Sequence, residues 1–525
     1  MPAWPSENLI NAPRTTLDTH YDVIVIGAGV GGLTTGLYLA KVGMKVLILE
    51  KHWVVGGCSS SFRKNGFYFD AGAHYLSSCR EEGQVGRLLN DHNLASRLTL
   101  LRPDPSDVVV IPPLEVPIRP GLDALVSAFQ DQFPGQASEI RVFFEFVWNT
   151  DAMTLYVKLK DRTFDSVLRE FITDLRLRSI LEVLLGNIGV PASRASALAS
   201  VFMFREFVVD GGYYPIGGMQ RFCDVLAEQF QTYGGTLCVA TAVDQVLTEG
   251  CKVTGVLLSR VKNRQIPGGL VITSDYVVAN CDPIQLTTRL LRSGDRVHLA
   301  VAETERRVPS ISAFMLHLGT RKSIKEICRH KAYIWYYPDW DVDRCYRDWM
   351  DGQVDFGDSF LFCGFPSFHD PALAPAGKDS VHIIIGAPYK DANFWQQHKE
   401  RLADSAIRRA ERFIPGLSGL IELKLIATPQ TLERYTWNYR GAMYGWASTP
   451  DQVGEHRFGD TIGLDNLYLA GHWSGPPAGQ GGIPMVVYAG RSVANQIVRS
   501  VRRRTYRSGQ LAESSHATGG SNGRH

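Results

Sequence analysis

Three glycines and one glutamate near the start of the chain have the types and spacing of a nucleotide-binding site. Gly27, Gly29 and Gly32 follow the pattern G-x-G-x-x-G. The first glycine permits a tight turn, the second lets a pyrophosphate approach the backbone, and the third lets a helix pack against the preceding strand. Glu50 ends the next apolar run, where a carboxylate accepts hydrogen bonds from an adenosine ribose. These residues predict a nucleotide site, and the alternative is an α/β packing motif without a ligand.

The elements that would position these residues form a strand–helix–strand unit. Residues 23–26 are an unbroken β-branched run, which is typical of a parallel strand buried on both faces. Residues 33–42 predict a helix, whose N-terminus offers free N–H groups and a positive dipole end to phosphates. Residues 45–49 predict a second buried strand. Strand, glycines, helix, strand and acid in this order are a stronger signal than the glycines alone.

A second glycine pair indicates which nucleotide is bound. Gly56 and Gly57 follow Glu50 closely, and residues 58–61 (CSSS) and 66–72 (GFYFDAG) come next. A nicotinamide dehydrogenase has no need of this pair, whereas a flavin needs close backbone approach along its ribityl chain. The order resembles the family of FAD-dependent oxidoreductases that includes phytoene desaturases, carotenoid isomerases and retinol saturases, and more distantly the amine oxidases.

The resemblance implies FAD as the cofactor and a set of residues that hold it. In the closing motif at residues 466–498, a helix N-terminus would face the flavin and stabilise negative charge on it. Most relatives carry an acidic residue after the glycine of this motif, whereas this chain has His472. No catalytic residue is named and no metal ligand is expected. The expected cofactor-binding residues are Gly27, Gly29, Gly32, Glu50, Lys51, Gly56, Gly57, Val243, Gly471, His472 and Ile483.

We predict an α/β fold in which a Rossmann-like FAD-binding lobe joins a substrate lobe built from a mixed sheet and helices. Prolines within residues 107–120 suggest strands at a sheet edge. The expected segments are a flexible N-terminal extension at residues 1–20, the FAD-binding lobe at 21–75, 215–290 and 460–500, the substrate lobe at 76–214 and 291–459, and a disordered, basic and Gly/Ser-rich tail at 501–525.

Composition narrows the class of protein. With 525 residues and 45% hydrophobic content, the chain can bury a large core and form two or more lobes. A net charge of +2 gives no strong field, so we expect no nucleic-acid partner. Nine cysteines without a C-x-x-C pair argue against a disulfide framework or a zinc site. Without a signal-peptide pattern or a membrane-spanning run, we expect a cytoplasmic protein, and peripheral membrane contact stays open.

Three features of the substrate lobe have two interpretations each. Residues 164–190 predict an apolar helix, which is ordinary core or else the wall of a lipid-sized tunnel or a membrane-dipping surface. His317 is interpreted as a satisfied core histidine rather than a site residue. The aromatic residues are mostly packing, and a subset lining a polyene channel is the alternative. They are Tyr333, Trp335, Tyr336, Tyr337, Trp340, Phe360, Phe362, Phe365 and Phe368.

The activity that the resemblance implies is reaction at carbon–carbon double bonds of a hydrophobic isoprenoid or polyene, by desaturation, saturation or cis–trans isomerisation. One alternative is a flavin amine oxidase with a polar substrate and oxygen as acceptor. Another is a flavin-bound lipid carrier that does not turn over. The glycine-rich residues 211–218 and 471–482 lack a second G-x-G-x-x-G unit, so we expect no dedicated nicotinamide site. A quinone or oxygen stays a candidate electron partner.

Overall fold

The computed structural model describes residues 17–259, 269–292, 301–354, 356–357, 359–476, 479 and 481–518. Most of the extension expected at residues 1–20 and the last residues of the expected tail, 519–525, lie outside this description. The strands are β1 (His20–Ile26), β2 (Val46–Leu49), β3 (Ser61–Lys64), β4 (Phe67–Asp70), β5 (Leu100–Leu101), β6 (Asp107–Ile111), β7 (Leu114–Ile118), β8 (Tyr214–Pro215), β9 (Thr236–Cys238), β10 (Val243–Glu249), β11 (Lys252–Leu258), β12 (Val271–Ala279), β13 (Ser312–Thr320), β14 (Tyr333–Tyr336), β15 (Leu361–Gly364), β16 (Ser380–Ala387), β17 (Ile421–Ala427) and β18 (Leu467–Leu469).

The main helices alternate with these strands or form a group between β7 and β8. They are α1 (Val30–Lys41), α2 (Gln84–Asp91), α3 (Leu122–Gln132), α4 (Ala137–Asn149), α5 (Ala152–Leu159), α6 (Phe164–Phe171), α7 (Leu175–Val183), α8 (Ala197–Met203), α9 (Met219–Thr232), α10 (Val342–Met350), α11 (Ala392–Ala410), α12 (Pro429–Thr436) and α13 (Ile483–Thr518).

The first large sheet has a parallel core with an antiparallel extension. Its strand order is β10-β11-β12-β1-β2-β9, and β18 also pairs with β12. The central strand β1 runs parallel to β2 and β12, and β18 is parallel to β12. Alternate residues of β1 enter two different cores: Val23 and Val25 pack with helices α1, α9 and α13, whereas Ile24 packs with the opposite face. Burial on both faces explains the unbroken apolar run of this strand.

The second large sheet carries the other half of the molecule. Its strand order is β17-β13-β16-β15-β14-β6-β7, and it is mixed because β14 runs parallel to β6 while the other neighbours are antiparallel. The strand with Pro117, β7, lies at the edge, as the prolines indicated. The two sheets and their helices give the predicted two-lobed α/β architecture. The segment boundaries proposed from the sequence stay predictions.

Residues 164–190 are largely helical, as predicted, in more than one piece. They form α6, α7 and a short 3-10 turn at Leu184–Asn187. The break occurs because the side chain of Asp174 accepts the backbone N–H groups of Arg176 and Leu177 and so starts a new helix. Seven apolar side chains lie between residues 175 and 185, and six of them are buried in the large core of the second lobe. Their burial supports the ordinary-core interpretation. They are Leu177, Ile180, Leu181, Val183, Leu184 and Leu185, and the seventh, Leu175, is 69% exposed.

The end of the chain differs from the expected disordered tail. Helix α13 runs from Ile483 to Thr518 and so includes most of residues 501–525. Its extension contains the helix formers Arg, Gln, Leu, Ala and Glu together with Gly509 and several serines. None of the helices in the described part of the chain combines the length and the apolar character needed to cross a bilayer.

Candidate active site

A cavity of about 740 Å³ lies between the two large sheets. One part, which we call the nucleotide half, is lined by the strand ends and glycine loops of the first lobe, including Gly29, Glu50 and Gly57. The other part, the substrate half, is lined by side chains from β13 to β16, including Met315, Trp335 and Ile384. One continuous cavity therefore joins a nucleotide-type loop to the face of the second sheet.

Backbone glycines form the floor of the nucleotide half and pack around Asn280. A Cβ atom on Gly27 would lie 2.8 Å from the Asn280 carbonyl oxygen, and one on Gly471 would lie 2.5 Å from Asn280 Oδ1. Asn280 Nδ2 also donates to the carbonyl of Gly27 at 3.2 Å. Asn280 was not among the predicted site residues, although its position directly after β12 could have identified it. Any residue other than glycine at position 27 or 471 would clash with Asn280.

The two glycine pairs meet at the N-terminus of α1. Gly29 and Gly56 form an isolated parallel bridge, and a Cβ atom on Gly57 would lie 3.2 Å from the Gly29 Cα atom. Gly32 does not line the cavity; its hydrogen side faces β1, where a Cβ atom would lie 2.1 Å from the Gly27 carbonyl oxygen. Gly32 therefore has the packing role assigned to the third glycine. This bare helix N-terminus fits a pyrophosphate.

Glu50 lies directly after β2, is buried and lines the cavity. Its carboxylate accepts the backbone N–H groups of Ala28 at 2.8 Å and His52 at 2.7 Å. Burial raises the pKa of Glu50, and these two hydrogen bonds act against the shift. Each carboxylate oxygen can accept a further hydrogen bond, so the group is oriented and still able to bind ribose hydroxyls.

Lys51 lines the cavity beside an aromatic residue that the sequence did not single out. Its Nζ atom donates to the carbonyl of Tyr435 at 2.6 Å and lies 4.5 Å from the ring centre of Trp437. Arg289 lies 4.4 Å from the same ring centre. Burial is the main cause that lowers the pKa of Lys51 to about 8. Trp437 lies just after α12, far from Lys51 in the sequence, which is why no local pattern indicated the contact.

The remaining predicted residues come together from the end of the chain and from β10. Val243, Gly471, His472 and Ile483 all line the cavity. Gly471 has φ of 98°, which favours glycine, and Ile483 is the first residue of α13, so this helix begins at the cavity wall. Burial lowers the pKa of His472 to about 4, so its imidazole is neutral at physiological pH. Ten of the eleven predicted residues thus line one cavity, and Gly32 supports it.

A buried carboxyl group fixes the hairpin that leads into the cavity wall. Asp70 accepts hydrogen bonds from Ser61 Oγ at 2.8 Å, Tyr214 Oη at 2.9 Å and the backbone N–H of Met219 at 3.2 Å. Burial raises its pKa to about 7. These contacts tie the β3–β4 hairpin to the start of α9. They hold in place the chain that continues along the cavity as Ala71 to Tyr75.

The substrate half is apolar and aromatic. Of the nine aromatic residues singled out in the sequence, Trp335, Phe360 and Phe362 line it. The leucines of residues 164–190 do not line it, whereas Gly186 and Asn187, at the end of the same segment, do. Among the described lining residues, the only carboxylate is that of Glu50, at the nucleotide end. Further apolar lining residues are Ile311, Met315, Trp349, Ile384 and Met443.

Three histidines form a buried cluster in the wall of this half. His317 Nδ1 lies 3.0 Å from His382 Nδ1, and the ring centres of His74 and His382 are 5.0 Å apart. His74 and His317 line the cavity. Burial lowers the pKa of His74 to about 4 and of His317 to about 3, and it places that of His382 well below its usual value. His317 is thus buried and paired, as interpreted, but it also belongs to the cavity.

Comparisons with known proteins agree with this geometry. The family model described as flavin containing amine oxidoreductase matches residues 30–498. Prolycopene isomerase 2 from an Oncidium hybrid cultivar is 26% identical over 91% of this chain and 84% of its own. Human all-trans-retinol 13,14-reductase is 25% identical over 81% of this chain and 77% of its own.

Solved structures show the same fold at lower sequence identity. An oxidoreductase from Methanosarcina mazei superposes with a TM-score of 0.65 at 15% identity, covering 90% of this chain and 99% of the other. Wild-type putrescine oxidase bound to putrescine superposes with a TM-score of 0.61 at 15% identity, over 91% of this chain and 99% of the other. At these identities the likeness establishes architecture only.

Proposed function

The chain belongs to the family of flavin-containing amine oxidoreductases, and we propose that it acts on carbon–carbon double bonds of a hydrophobic isoprenoid or polyene. It is an enzyme with FAD as cofactor, which confirms the cofactor and the oxidoreductase class predicted from the sequence. When bound, FAD supplies hydride transfer. A flavin-bound carrier without turnover is therefore set aside. Desaturation, saturation and isomerisation are all within the proposal.

The observation that carries this proposal is the character of the substrate half. Met315, Trp335 and Ile384 are among the residues that give this part of the cavity a hydrocarbon and aromatic lining. Burying such surface is favourable by about 25 cal/mol per Å² of apolar area removed from water. A long hydrocarbon gains from this lining along its length, whereas a charged substrate would lose its hydration without an ionic partner.

In this proposal, the protein's own residues bind and orient the cofactor and the substrate. Glycines 27, 29, 56 and 57, with the N-termini of α1 and α13, would hold the phosphates and the flavin, and Glu50 would hold the ribose. Aromatic side chains of the second sheet would hold the substrate against the flavin and exclude water. The electron partner is proposed to be a quinone or oxygen, in a cytoplasmic enzyme that draws its substrate through peripheral membrane contact.

An amine oxidase activity is the second candidate, because the fold is that of putrescine oxidase. The residues that line the cavity argue against amine oxidase activity. An ammonium group needs a carboxylate or an aromatic cage, and the only carboxylate among the described lining residues, that of Glu50, lies at the nucleotide end, where it would bind the ribose. Trp335 and Phe362 are in edge-to-face contact with a 4.6 Å centroid distance, so they fill space against each other.

The deciding experiment offers the holoenzyme both substrate classes without oxygen. The enzyme, first in its oxidised state and then after reduction, is mixed anaerobically with all-trans-retinol, with prolycopene or with putrescine. Flavin absorbance is followed, and products are separated by chromatography. We expect the polyenes to give flavin reoxidation, reduction or isomerised product, and putrescine to give no change. Rapid flavin bleaching by putrescine, with no polyene product, would overturn the proposal.

A further inference from the structure

The substrate half of the cavity extends across the second sheet in one direction. Its lining takes residues from five neighbouring strands: Leu425 of β17, Met315 of β13, Ile384 of β16, Phe362 of β15 and Trp335 of β14. None of the described lining residues belongs to β6 or β7, the next strands in the sheet. Because neighbouring strands lie about 4.8 Å apart, this part of the cavity is about 19 Å long and ends at β14.

The two ends of the substrate half differ in their exposure to solvent. Near β17, Tyr435 of α12 lines the cavity and is 52% exposed, and Trp53, another lining residue, is 46% exposed. The cavity therefore reaches the surface at this end. At the β14 end, the lining residues Trp335, Trp349 and Phe360 are 4%, 4% and 6% exposed. The substrate half is thus open at one end and closed at the other.

The two tryptophans at the closed end pack directly on glycines. A Cβ atom on Gly386 would lie 2.4 Å from the indole ring of Trp349, and one on Gly186 would lie 2.3 Å from that of Trp335. In addition, Trp335 Nε1 donates to Oδ1 of the buried Asp107 at 2.8 Å. Neither ring can move closer to the backbone on which it packs, so the closed end has a fixed position.

Phe360 joins the two indoles into one surface, which we call the aromatic end wall. Its ring centre lies 6.1 Å from that of Trp335 and 5.8 Å from that of Trp349, at distances typical of packed aromatic rings. A hydrocarbon chain that enters beside Tyr435 meets this wall after about 19 Å. An isoprene unit adds four carbon–carbon bonds of about 1.5 Å in a zigzag, or about 5 Å, so about four units fit.

We propose that the aromatic end wall determines how far a substrate enters, and that Trp335 and Trp349 are specificity-determining residues for chain length. The inference rests on the proposed function and adds a length limit to its substrate. Each unit that enters the cavity removes apolar surface from water and raises the affinity, whereas units beyond the limit stay outside and add nothing. The position of the reacting double bond is then counted from the end of the substrate that touches the wall.

The first test uses the wild-type holoenzyme and three probes that differ only in length. Farnesol, geranylgeraniol and geranylfarnesol contain three, four and five isoprene units and share one head group. Each competes with all-trans-retinol for the oxidised enzyme in the dark and without oxygen, and displacement is followed by retinol fluorescence. We expect the inhibition constant to fall about tenfold or more from three to four units and not to fall further at five. An equal fall at both steps would overturn the inference.

Variants of the end wall should shift this limit in opposite directions. Trp349→Ala removes part of the wall, so the fifth unit should now lower the inhibition constant about tenfold. Gly386→Ala places a methyl group where the indole packs and takes space from the same end, so geranylgeraniol should lose its advantage over farnesol. Trp395→Ala is the matched control and should keep the wild-type series, because Trp395 is a buried tryptophan that does not line the cavity.

The outcomes separate the length limit from the proposed function. If neither retinol nor any of the three probes binds, both proposals fail. If all bind with affinities that rise steadily with length, only the length limit is wrong. Flavin content is measured for every variant. A flavin-loaded Trp349→Ala with the wild-type series would contradict the role of the wall, and if this variant does not fold, the wild-type series and Gly386→Ala decide.

Discussion

The nucleotide half and the substrate half of the cavity are built in opposite ways. In the nucleotide half, close backbone packing determines the shape: a Cβ atom on Gly471 would lie 2.5 Å from Asn280 Oδ1. In the substrate half, side chains such as Met315 and Ile384 determine the shape while regular strands supply the backbone. The first half therefore tolerates almost no substitution, whereas the second can change its ligand by exchanging side chains. We therefore expect mutations in the nucleotide half to impair FAD binding and mutations in the substrate half to change the affinity for the substrate.

The largest effect is expected from Gly29→Val in the nucleotide half. The Cβ atom would lie 3.0 Å from Asn280 Nδ2, and the two methyl groups would enter the phosphate path. FAD binding should be abolished, measured as the ratio of flavin to protein absorbance after purification. Gly135→Val is the control, because a Cβ atom there would meet no atom within 4 Å. Normal flavin content in Gly29→Val would show that the phosphates bind elsewhere.

Glu50→Gln should weaken FAD binding without unfolding the lobe. The amide keeps the size of the side chain but loses the charge that binds the ribose and the N–H groups of Ala28 and His52. Loss of one charge-assisted hydrogen bond costs about 1.5 to 3 kcal/mol, or roughly 10- to 150-fold in Kd. Kd is measured by fluorescence titration of the apoprotein with FAD. Unchanged affinity would place the adenosine away from Glu50.

In the substrate half, Ile384→Asn should leave FAD bound and weaken polyene binding. The amide places a polar group against the hydrocarbon chain of the ligand, and we expect about a tenfold rise in Kd for retinol. Val157→Asn, at a position that is 68% exposed, is the matched control and should have no effect. A parallel loss of flavin and polyene affinity in Ile384→Asn would contradict the separation of the two halves.

His472→Asp restores the residue that most relatives carry, and it should leave FAD content equal or slightly higher. An aspartate accepts hydrogen bonds from cofactor hydroxyls, whereas a neutral histidine offers one donor and one acceptor. Flavin content and the Kd for FAD are compared with the wild-type protein. A collapse of flavin content would mean that the imidazole itself binds a phosphate or the substrate.

NADPH should have the smallest effect of all. The sequence lacks a second G-x-G-x-x-G unit followed by a strand and an acid, so we predict no dedicated nicotinamide site. Anaerobic stopped-flow mixing with NADPH should leave the flavin oxidised over seconds. Fast, saturable bleaching at micromolar nucleotide would show that the substrate half also accepts a nicotinamide.

The contrast between the two halves also explains which site residues could be predicted from the sequence. Gly27, Gly29, Glu50 and Gly57 were predictable because each acts through its own backbone or its position at a strand end. The contact between His317 and His382 was not predictable, since it depends on β13 and β16, which pair only in the folded sheet. No local pattern distinguishes a histidine in such a cluster from one in an ordinary core.

Trp437 was missed for the same reason, whereas Asn280 could have been identified from its position directly after β12. Asn280 becomes a site residue because Gly27 and Gly471, from opposite ends of the chain, close around it. Conversely, the apolar run within residues 164–190 is mostly core, and the part of this segment that reaches the cavity is Gly186 and Asn187, which are not large apolar residues. Apolar composition indicates burial, but it does not indicate whether a side chain faces a ligand or its neighbours.

The late position of β18 has a consequence for how the protein is made. This strand inserts beside β12, and Gly471, His472 and Ile483 follow it into the cavity wall. At a translation rate of about 5 to 20 residues per second, the ribosome works for roughly half a minute or longer before these residues emerge. Until then the nascent chain has only part of its FAD cradle. The cavity wall can therefore be completed only after residue 483 has been synthesised.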